Sequence, residues 1–330
     1  MPELGKMLQS FRGKRVLVMG DLMVDEYLAG EITRISPEAP VPVIKISSRR
    51  FALGGAANAA KNIVALGGGA DLFGVIGEDQ NGKKLLQMAR ESRIGVDGII
   101  TDAERPTTSK LRVLAHGAQL LRADEEETKK IDAKTEGELL EKFMKQIRSA
   151  DAVIISDYNK GAVTKNLARK IIEAANSAKK PVTIDSKNYF EHELEHATVL
   201  KPNLKELHRE TGLKCDTEAE IEIAAKEMFK RLSPKAVLVT LGDNGMLLVH
   251  DNKAEKISGV KTNAVDVSGA GDTVIAALTL GLAAGNNLKE SAMLANYAAA
   301  VVVSKTGTVA PKGSEILELL QREGGEHEAL

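Results

Sequence analysis

The segment DVSGAGDT, residues 266–273, places two glycines and a carboxylate at the start of an apolar helical pattern. Gly269, Ala270 and Gly271 can turn successive backbone amides to one side, at the positive end of the following helix. Such amides form an anion hole of the kind that binds phosphate. Asp272 lies in the first helical turn, where the helix dipole favours its ionised form.

An ionised carboxylate beside an anion hole suits the transfer of a phosphoryl group to a hydroxyl. The amides would hold the transferring phosphate, and Asp272 would accept the proton of the attacking hydroxyl. The alternative is structural, because an acid close to a helix N-terminus after a glycine turn is a common cap. Residues 266–273 alone leave both interpretations open.

Two other glycine motifs are set aside. A dinucleotide-binding fingerprint requires a third glycine where this chain has Thr273 and Val274. The segment GEDQNGKK, residues 77–84, nearly matches a phosphate-binding P-loop, but Lys84 replaces the magnesium-binding Ser or Thr. We interpret this segment as the start of a helix.

Hydrophobic patterning predicts an α/β fold. Helices are predicted at 55–67, at 81–95 and after the glycine turn, and continuous apolar strands at 15–20, 71–77, 152–157, 181–186, 197–203 and 236–242. Continuous apolar strands separated by helices indicate a parallel sheet covered on both faces. Ligands of such sheets bind beyond the carboxyl ends of the strands. The polar or turn residues at these ends are Asp21, Asp157, Asp185, Asn203 and Gly242.

Two segments, about 27–48 and 107–124, interrupt this alternation. The first has three of the nine prolines within six residues, flanked by alternating strand-like residues. The second has the pattern of a hairpin that turns near HGAQ. Because proline is confined to edge strands and turns of sheets, we expect both segments to form a small β-sheet that projects as a lid.

Composition excludes several functional classes. The chain has 45 basic and 46 acidic residues and no Trp, so neither charge nor aromatic stacking favours nucleic acid or an anionic membrane. Its one cysteine, Cys215, suits a reducing cytoplasm, and residues 274–284 are too short to span a bilayer. We expect a soluble cytoplasmic protein with one domain at 1–320 and a frayed tail at 321–330.

Three segments together resemble the signatures of the ribokinase-like (phosphofructokinase-B) sugar kinases. They are GGAANAAKN at 54–62, KPNLKE at 201–206 and DVSGAGDT at 266–273, and the resemblance extends from about residue 15 to 309. It implies a Rossmann-like three-layer sandwich with a mostly parallel central sheet and a β lid. It further implies ATP as phosphoryl donor, Mg²⁺ as cofactor and a homodimer formed through the lid.

The resemblance assigns roles to the residues of the turn and of KPNLKE. Asp272 corresponds to the catalytic base, and Gly269, Ala270 and Gly271 to the anion hole. Asn203 and Glu206 match an Asn-x-x-Glu motif that organises Mg²⁺ and its waters, although the same pair is explained by a helix cap. Asp266 matches a position that helps to hold a potassium-like cation in several relatives, or is a loop acid facing solvent.

The resemblance also places two ligand pockets. Carboxylates and amides suit vicinal sugar hydroxyls, which donate and accept together, and the matching positions are Asp21, Asp25, Gly54, Gly55 and Asn58. The nucleotide pocket matches Thr240, Gly242, Gly245 and Asn296, where small residues are also compatible with plain packing.

A narrower resemblance, to heptose 7-phosphate kinases, is carried by RISPEAPVPV, RPTTSKLRV, QLLRAD and DYNKG. These enzymes phosphorylate the anomeric hydroxyl of D-glycero-D-manno-heptose 7-phosphate, which supplies the lipopolysaccharide core. A substrate that already carries a phosphate requires a second cationic site. The candidates are Lys110, Arg112 and Arg122 on the hairpin, with Lys160 and Lys187 at strand ends; alternatively, these side chains are merely solvated.

Two further functions stay open at this stage. One is a kinase of the same family that acts on fructose, a fructose phosphate or another sugar. The other is a non-catalytic module that binds nucleotide or sugar. Bifunctional relatives append a nucleotidyltransferase domain, but none of the six histidines forms His-x-Gly-His, so we expect that activity to reside elsewhere.

Overall fold

The computed structural model describes residues 2–251 and 253–327. The helices are α1 (Pro2–Ser10), α2 (Ala56–Ala65), α3 (Gln80–Glu91), α4 (Ala133–Gln146), α5 (Lys165–Ser177), α6 (Leu204–Thr211), α7 (Glu218–Leu232), α8 (Ala270–Ala283), α9 (Leu288–Val303) and α10 (Gly313–His327). The strands are β1 (Arg15–Gly20), β2 (Leu22–Ile35), β3 (Pro42–Gly55), β4 (Gly69–Gly77), β5 (Gly95–Asp102), β6 (Thr108–Ala115), β7 (Ala118–Glu125), β8 (Ala152–Asp157), β9 (Val182–Ser186), β10 (Val199–Leu200), β11 (Ala236–Thr240), β12 (Met246–His250) and β13 (Lys253–Ile257).

The central sheet has nine strands in the order β13-β12-β11-β10-β9-β8-β1-β4-β5. Neighbours from β11 to β5 are parallel, and only the β11–β12 and β12–β13 pairs are antiparallel. One hydrophobic core lies between the sheet and α1, α2, α3, α8, α9 and α10, and a second lies between the sheet and α4, α5, α6 and α7. The predicted three-layer α/β sandwich is therefore confirmed.

Helix α8 is enclosed over most of its length, and it begins near the carboxyl ends of the strands. Its residues from Asp272 to Gly281 are all buried, as the uninterrupted apolar pattern predicts. Glycine allows α9 to approach closely, because a Cβ atom on Gly281 would lie 2.5 Å from the Ser291 hydroxyl. A helix packed on every side holds its N-terminus, and hence the glycine turn, in one place.

The predicted lid is a second sheet of four strands in the order β3-β2-β6-β7. Strands β2 and β3 are longer than predicted, because their pairing already begins at Leu22 and Gly55, inside the main domain. The β6–β7 hairpin turns at His116 and Gly117, which both have positive φ (51° and 79°), as a two-residue type I′ turn requires.

Two predicted strands prove shorter. Only Val199–Leu200 forms β10 within the predicted strand 197–203, because Pro202 has no amide to donate and Asn203 caps α6. The strand predicted at 236–242 ends at Thr240, since Gly242 adopts φ +61°, which is incompatible with an extended strand.

The start of α3 agrees with the prediction for residues 77–84, and the end of α10 differs from the prediction for the C-terminal tail. Segment 77–84 is the start of α3, with the Asp79 side chain accepting from the Gly82 amide, as predicted. The tail predicted to fray is helical as far as His327, on a helix anchored by buried Ile316 and Leu320; residues 328–330 lie outside the described residues. No helix within the described ranges is long and apolar enough to cross a bilayer.

Candidate active site

The glycine turn lies at the N-terminus of α8 and faces the carboxyl ends of the sheet. Gly269 has φ +80°, and a Cβ atom there would lie 2.8 Å from the Asn58 Nδ2, so glycine is required. Among the described residues, the amides of Gly269 and Gly271 have no acceptor, whereas Ala270 donates to the Val267 carbonyl at 3.2 Å. The anion hole thus has two free amides; the Ala270 amide expected there is occupied by the turn itself.

Asp272 is buried beside this turn, with only 4% of its surface exposed. Its Oδ2 accepts a hydrogen bond from the Asn58 amide at 2.7 Å, and its Oδ1 accepts one from the Tyr158 hydroxyl at 2.6 Å. Burial raises the pKa of Asp272 to about 6, although both hydrogen bonds act to lower it. The expectation that the helix position would favour ionisation is therefore outweighed by desolvation, which brings the pKa into the range useful for a general base.

Tyr158, which follows β8, is a site residue that the sequence analysis did not single out. Two lysines lie close to its ring, with Lys110 Nζ at 5.7 Å and Lys187 Nζ at 5.5 Å from the ring centroid. The residue lies within the DYNKG segment, but its contact with Asp272 spans 114 positions. Sequence spacing gives no indication of such a contact.

Asp21 holds the loop that carries Tyr158. Its Oδ2 accepts from the amides of Tyr158 (2.7 Å) and Lys160 (3.0 Å), and its Oδ1 from the amide of Ala162 (3.0 Å). Burial and the charge of Asp157 raise the pKa of Asp21 to about 6. The structure thus engages both oxygens of Asp21 with backbone, where the sequence predicted contacts with a sugar. Asn58, also predicted to contact sugar, donates a hydrogen bond to Asp272 and so orients it.

A buried lysine, Lys201, adds a positive charge to the turn. Its Nζ is 2.9 Å from the Asp185 Oδ2 and would lie 3.5 Å from a Cβ atom on Gly271. Burial alone would lower the pKa of Lys201, but the charges of Asp185 and Glu206 outweigh it and the pKa is raised. The ammonium therefore stays charged and supplements the two free amides. This lysine begins the KPNLKE segment, yet only the fold places it beside the turn.

Asn203 and Glu206 form a complete capping box at α6. The Glu206 amide donates to Asn203 Oδ1 and the Asn203 amide donates to Glu206 Oε2, both at 2.9 Å. The other Glu206 oxygen, buried, is ion-paired with Lys187. This Glu206 oxygen already binds a cation. Asn203 and Glu206 could therefore hold a hydrated magnesium ion through that one carboxylate oxygen. No cluster of three acidic, His or Cys ligands exists among residues 2–251 and 253–327.

The predicted nucleotide positions line an open cavity of about 170 Å³. Thr240, Gly242, Gly245 and Asn296 all line it, together with Ala270 and Gly271 of the turn. Because the cavity reaches the turn, a nucleotide bound in it would direct its phosphates toward the two free amides. The Asn296 amide donates to the Ser258 carbonyl at 2.8 Å, which orients that side chain.

The lid closes the opposite side of the site. Asp25 accepts from Arg112 at 2.6 Å. A Cβ atom on Gly54 would lie 2.8 Å from the Asp25 carboxylate, and Gly55 has φ +57°, so glycines are needed beside this carboxylate.

Asp266 joins the glycine turn to the loop after α9. Its carboxylate accepts hydrogen bonds from the amides of Ser268 (2.9 Å) and Gly307 (2.8 Å).

Most of the basic candidates for a substrate phosphate already have acidic partners. Arg122 binds Asp124 through two hydrogen bonds, at 2.7 and 2.5 Å, and Lys160 binds Glu126 at 2.7 Å. Arg112 and Lys187 are paired with Asp25 and Glu206 as described above. Lys110 has no ion pair within the described part of the chain.

Comparison with known proteins decides the family. The profile of the pfkB family carbohydrate kinases matches residues 14–314. The chain belongs to this family. With its cavity, anion hole and buried carboxylate, it is an ATP-dependent sugar kinase.

Curated relatives include larger proteins. The chain is 40% identical over 304 residues to the "Bifunctional protein HldE" of a Nitratiruptor species, which covers 92% of this chain and 64% of the relative. It is 41% identical over 329 residues to the protein of the same name from a Caulobacter species, covering 98% of this chain and 66% of the relative. The chain therefore spans about two thirds of the length of these relatives.

Solved structures share the fold at low identity. Ribokinase of Arabidopsis thaliana, complexed with ribose and ATP, superposes with a TM-score of 0.73 at 23% identity, covering 94% of this chain and 99% of its own. Phosphofructokinase-2 of Escherichia coli superposes with a TM-score of 0.77 at 21% identity, covering 93% and 97%. These comparisons confirm the ribokinase-like architecture.

Proposed function

We propose that the protein transfers the γ-phosphoryl group of ATP to the anomeric C1 hydroxyl of D-glycero-D-manno-heptose 7-phosphate. The product, the 1,7-bisphosphate, would serve ADP-heptose and lipopolysaccharide core synthesis. The observation that carries the reaction class is the Asp272 carboxylate, buried between Asn58 and Tyr158 at the edge of the free amides. The substrate is supported by the heptose-kinase segments of the sequence and by relatives about 40% identical.

The reaction follows from this arrangement. The sugar binds between the lid and the turn, with its C1 hydroxyl against Asp272. As the C1 oxygen bonds to the γ-phosphorus, its proton passes to Asp272 and the bond to the ADP oxygen breaks. The amides of Gly269 and Gly271 and the ammonium of Lys201 offset the negative charge of the transferring group.

Metal ions would act around this core. Mg²⁺ would neutralise charge on the ATP phosphates, and Glu206 with Asn203 would hold it, through water, in place of the Lys187 ammonium. Asp266, which joins the turn to the loop after α9, would be the protein's contribution to a site for a potassium-like cation.

A substrate panel tests the proposal. Purified protein should phosphorylate heptose 7-phosphate with a kcat/KM about 100-fold or more above that for fructose, ribose, fructose 6-phosphate or nucleosides. Phosphorus NMR should show the new phosphate on C1. ADP release with one of the other sugars and none with heptose 7-phosphate would reject the heptose assignment. Equal background transfer by wild type and Asp272→Asn, with ATP still bound, would instead indicate a binding module.

A further inference from the structure

One face of the lid sheet carries two cross-strand rows of charged side chains. In the first row the strand pairing places Arg122, Arg112, Tyr27 and Arg50 opposite one another across β7, β6, β2 and β3. In the second row Asp124, Lys110, Asp25 and Ala52 are opposite one another in the same way. Directly paired residues, and residues two apart on a strand, share a face of a sheet.

This face looks toward the active site. Lys110 lies over the ring of Tyr158, which holds Asp272, and the Tyr27 hydroxyl is 2.8 Å from that of Thr308. Thr308 in turn packs on the glycine turn, since its Cγ2 would lie 3.2 Å from a Cβ atom on Gly269. The two rows therefore form the wall that a bound sugar would meet opposite the base.

The wall has more positive than negative charge. Four basic side chains (Arg50, Arg112, Arg122 and Lys110) face two acids (Asp25 and Asp124), which leaves two positive charges. Arg112 is bonded to Asp25 and Arg122 to Asp124, while Lys110 lies between these two acids in register. Arg50 differs, because it lies on the edge strand and its neighbour in the row is the neutral Tyr27.

Arg50 is positioned by contacts with neutral groups, and no acidic side chain among the described residues neutralises its charge. Its guanidinium lies 4.6 Å from the centroid of the Tyr27 ring and touches Gly307, where a Cβ atom would lie 2.1 Å from its Nη2. No carboxylate within the described ranges pairs with it. Lys61, a half-buried cation, lies close to the exposed Arg50. The pKa of Lys61 is lowered mainly by its burial and further by the positive charge of Arg50.

We propose that Arg50 binds the phosphate group that the sugar substrate already carries before the reaction. A guanidinium can donate two parallel hydrogen bonds to a phosphate dianion, and the two excess positive charges of the wall match its charge. The proposal rests on the proposed function in taking the acceptor to be a sugar phosphate. It assigns specificity to a residue on β3, outside the hairpin to which the sequence pointed.

The neighbouring residue is a matched control. Arg49 is also on β3, but it points to the other face of the sheet and pairs with Glu26 at 2.9 Å. Arg50→Ala should raise the KM for heptose 7-phosphate about 10- to 100-fold, and leave kcat and the KM for ATP within about threefold. Arg50→Lys should give an intermediate KM, and Arg49→Ala should leave all three constants within about twofold.

Inorganic phosphate is the second probe. It should inhibit wild type competitively against the sugar phosphate, and Arg50→Ala should weaken this inhibition about tenfold while Arg49→Ala does not. If wild type uses heptose 7-phosphate but Arg50→Ala and Arg49→Ala behave alike with both probes, the Arg50 site is refuted and the heptose assignment stands. If wild type does not use heptose 7-phosphate, the heptose assignment fails, and the effect of Arg50→Ala on phosphate inhibition still supports or refutes the site.

Discussion

At the scale of single residues, the reactive carboxylate is defined by its two hydrogen-bond donors. Asn58 reaches Asp272 from α2, and Tyr158 reaches it from the loop after β8. Burial raises the pKa of Asp272 to about 6, and each donor opposes that rise by stabilising the charged form. The carboxylate is thus mostly ionised at neutral pH yet basic enough to take a proton in the transition state.

Removal of the Tyr158 hydroxyl should therefore move the pH profile. Because this hydrogen bond lowers the pKa of Asp272, Tyr158→Phe should raise that pKa further, and the base must be deprotonated to act. The acid limb of the kcat/KM profile should move to higher pH by about 0.5 to 1 unit. Relative to wild type, Tyr158→Phe should therefore lose less kcat/KM at about pH 8 than at about pH 6.

Tyr189 supplies the control for this profile. It is a fully buried tyrosine whose hydroxyl donates to the Ile184 carbonyl at 3.4 Å and does not contact Asp272. Tyr189→Phe should leave the acid limb in place. A Tyr158→Phe profile that coincides with that of wild type would show that Tyr158 does not tune the base.

At the scale of elements, the lid is the part of the fold that is least covered. Strand β2 begins in the main domain and β3 ends there, and the distal halves of both strands leave large apolar side chains exposed. These residues, with one from the β2–β3 connection and two from β7, are Ile32, Ile35, Ile46, Val41, Leu120 and Leu121. An exposed apolar group of this kind on a sheet with two open edges marks an association surface, and we propose that it pairs two copies of the lid.

Charged substitutions in the lid should separate such a dimer. Ile46→Glu and Leu121→Glu, at positions 52% and 57% exposed, should each weaken dimerisation at least about tenfold in sedimentation equilibrium. Ile223→Glu on α7, at a position 61% exposed and outside the lid, should sediment like wild type. A monomeric wild type at micromolar concentration would refute the lid dimer.

At the scale of the whole molecule, the parallel sheet brings distant residues to one edge. The glycine turn, the capping box of α6 and the apolar strands were predictable, because each depends on neighbours within a few residues. The parallel sheet and the projecting lid also followed from pattern and resemblance. Nearly all of the features that local residue spacing and hydrophobic patterning predicted are thus found in the fold.

Residues whose role depends on long-range contacts were not predictable in this way. Tyr158, Lys201 and Arg50 acquire their roles only when β8, β10 and the lid are placed beside the turn. Conversely, Asp21 and Asn58 were assigned to sugar by resemblance, and the structure engages them with the loop and the base. A sequence motif identifies which residues meet at a site more readily than it identifies which partner each one contacts.

The central claim is that Asp272 accepts the proton of the attacking hydroxyl while the turn holds the phosphoryl group. Its most direct test is the kcat of Asp272→Asn with ATP and the best acceptor from the panel, measured beside the dissociation constant for ATP. We predict a kcat about 10²- to 10⁴-fold below wild type, with ATP affinity changed less than about threefold. A kcat within about tenfold of wild type would contradict the assignment of Asp272 as the base.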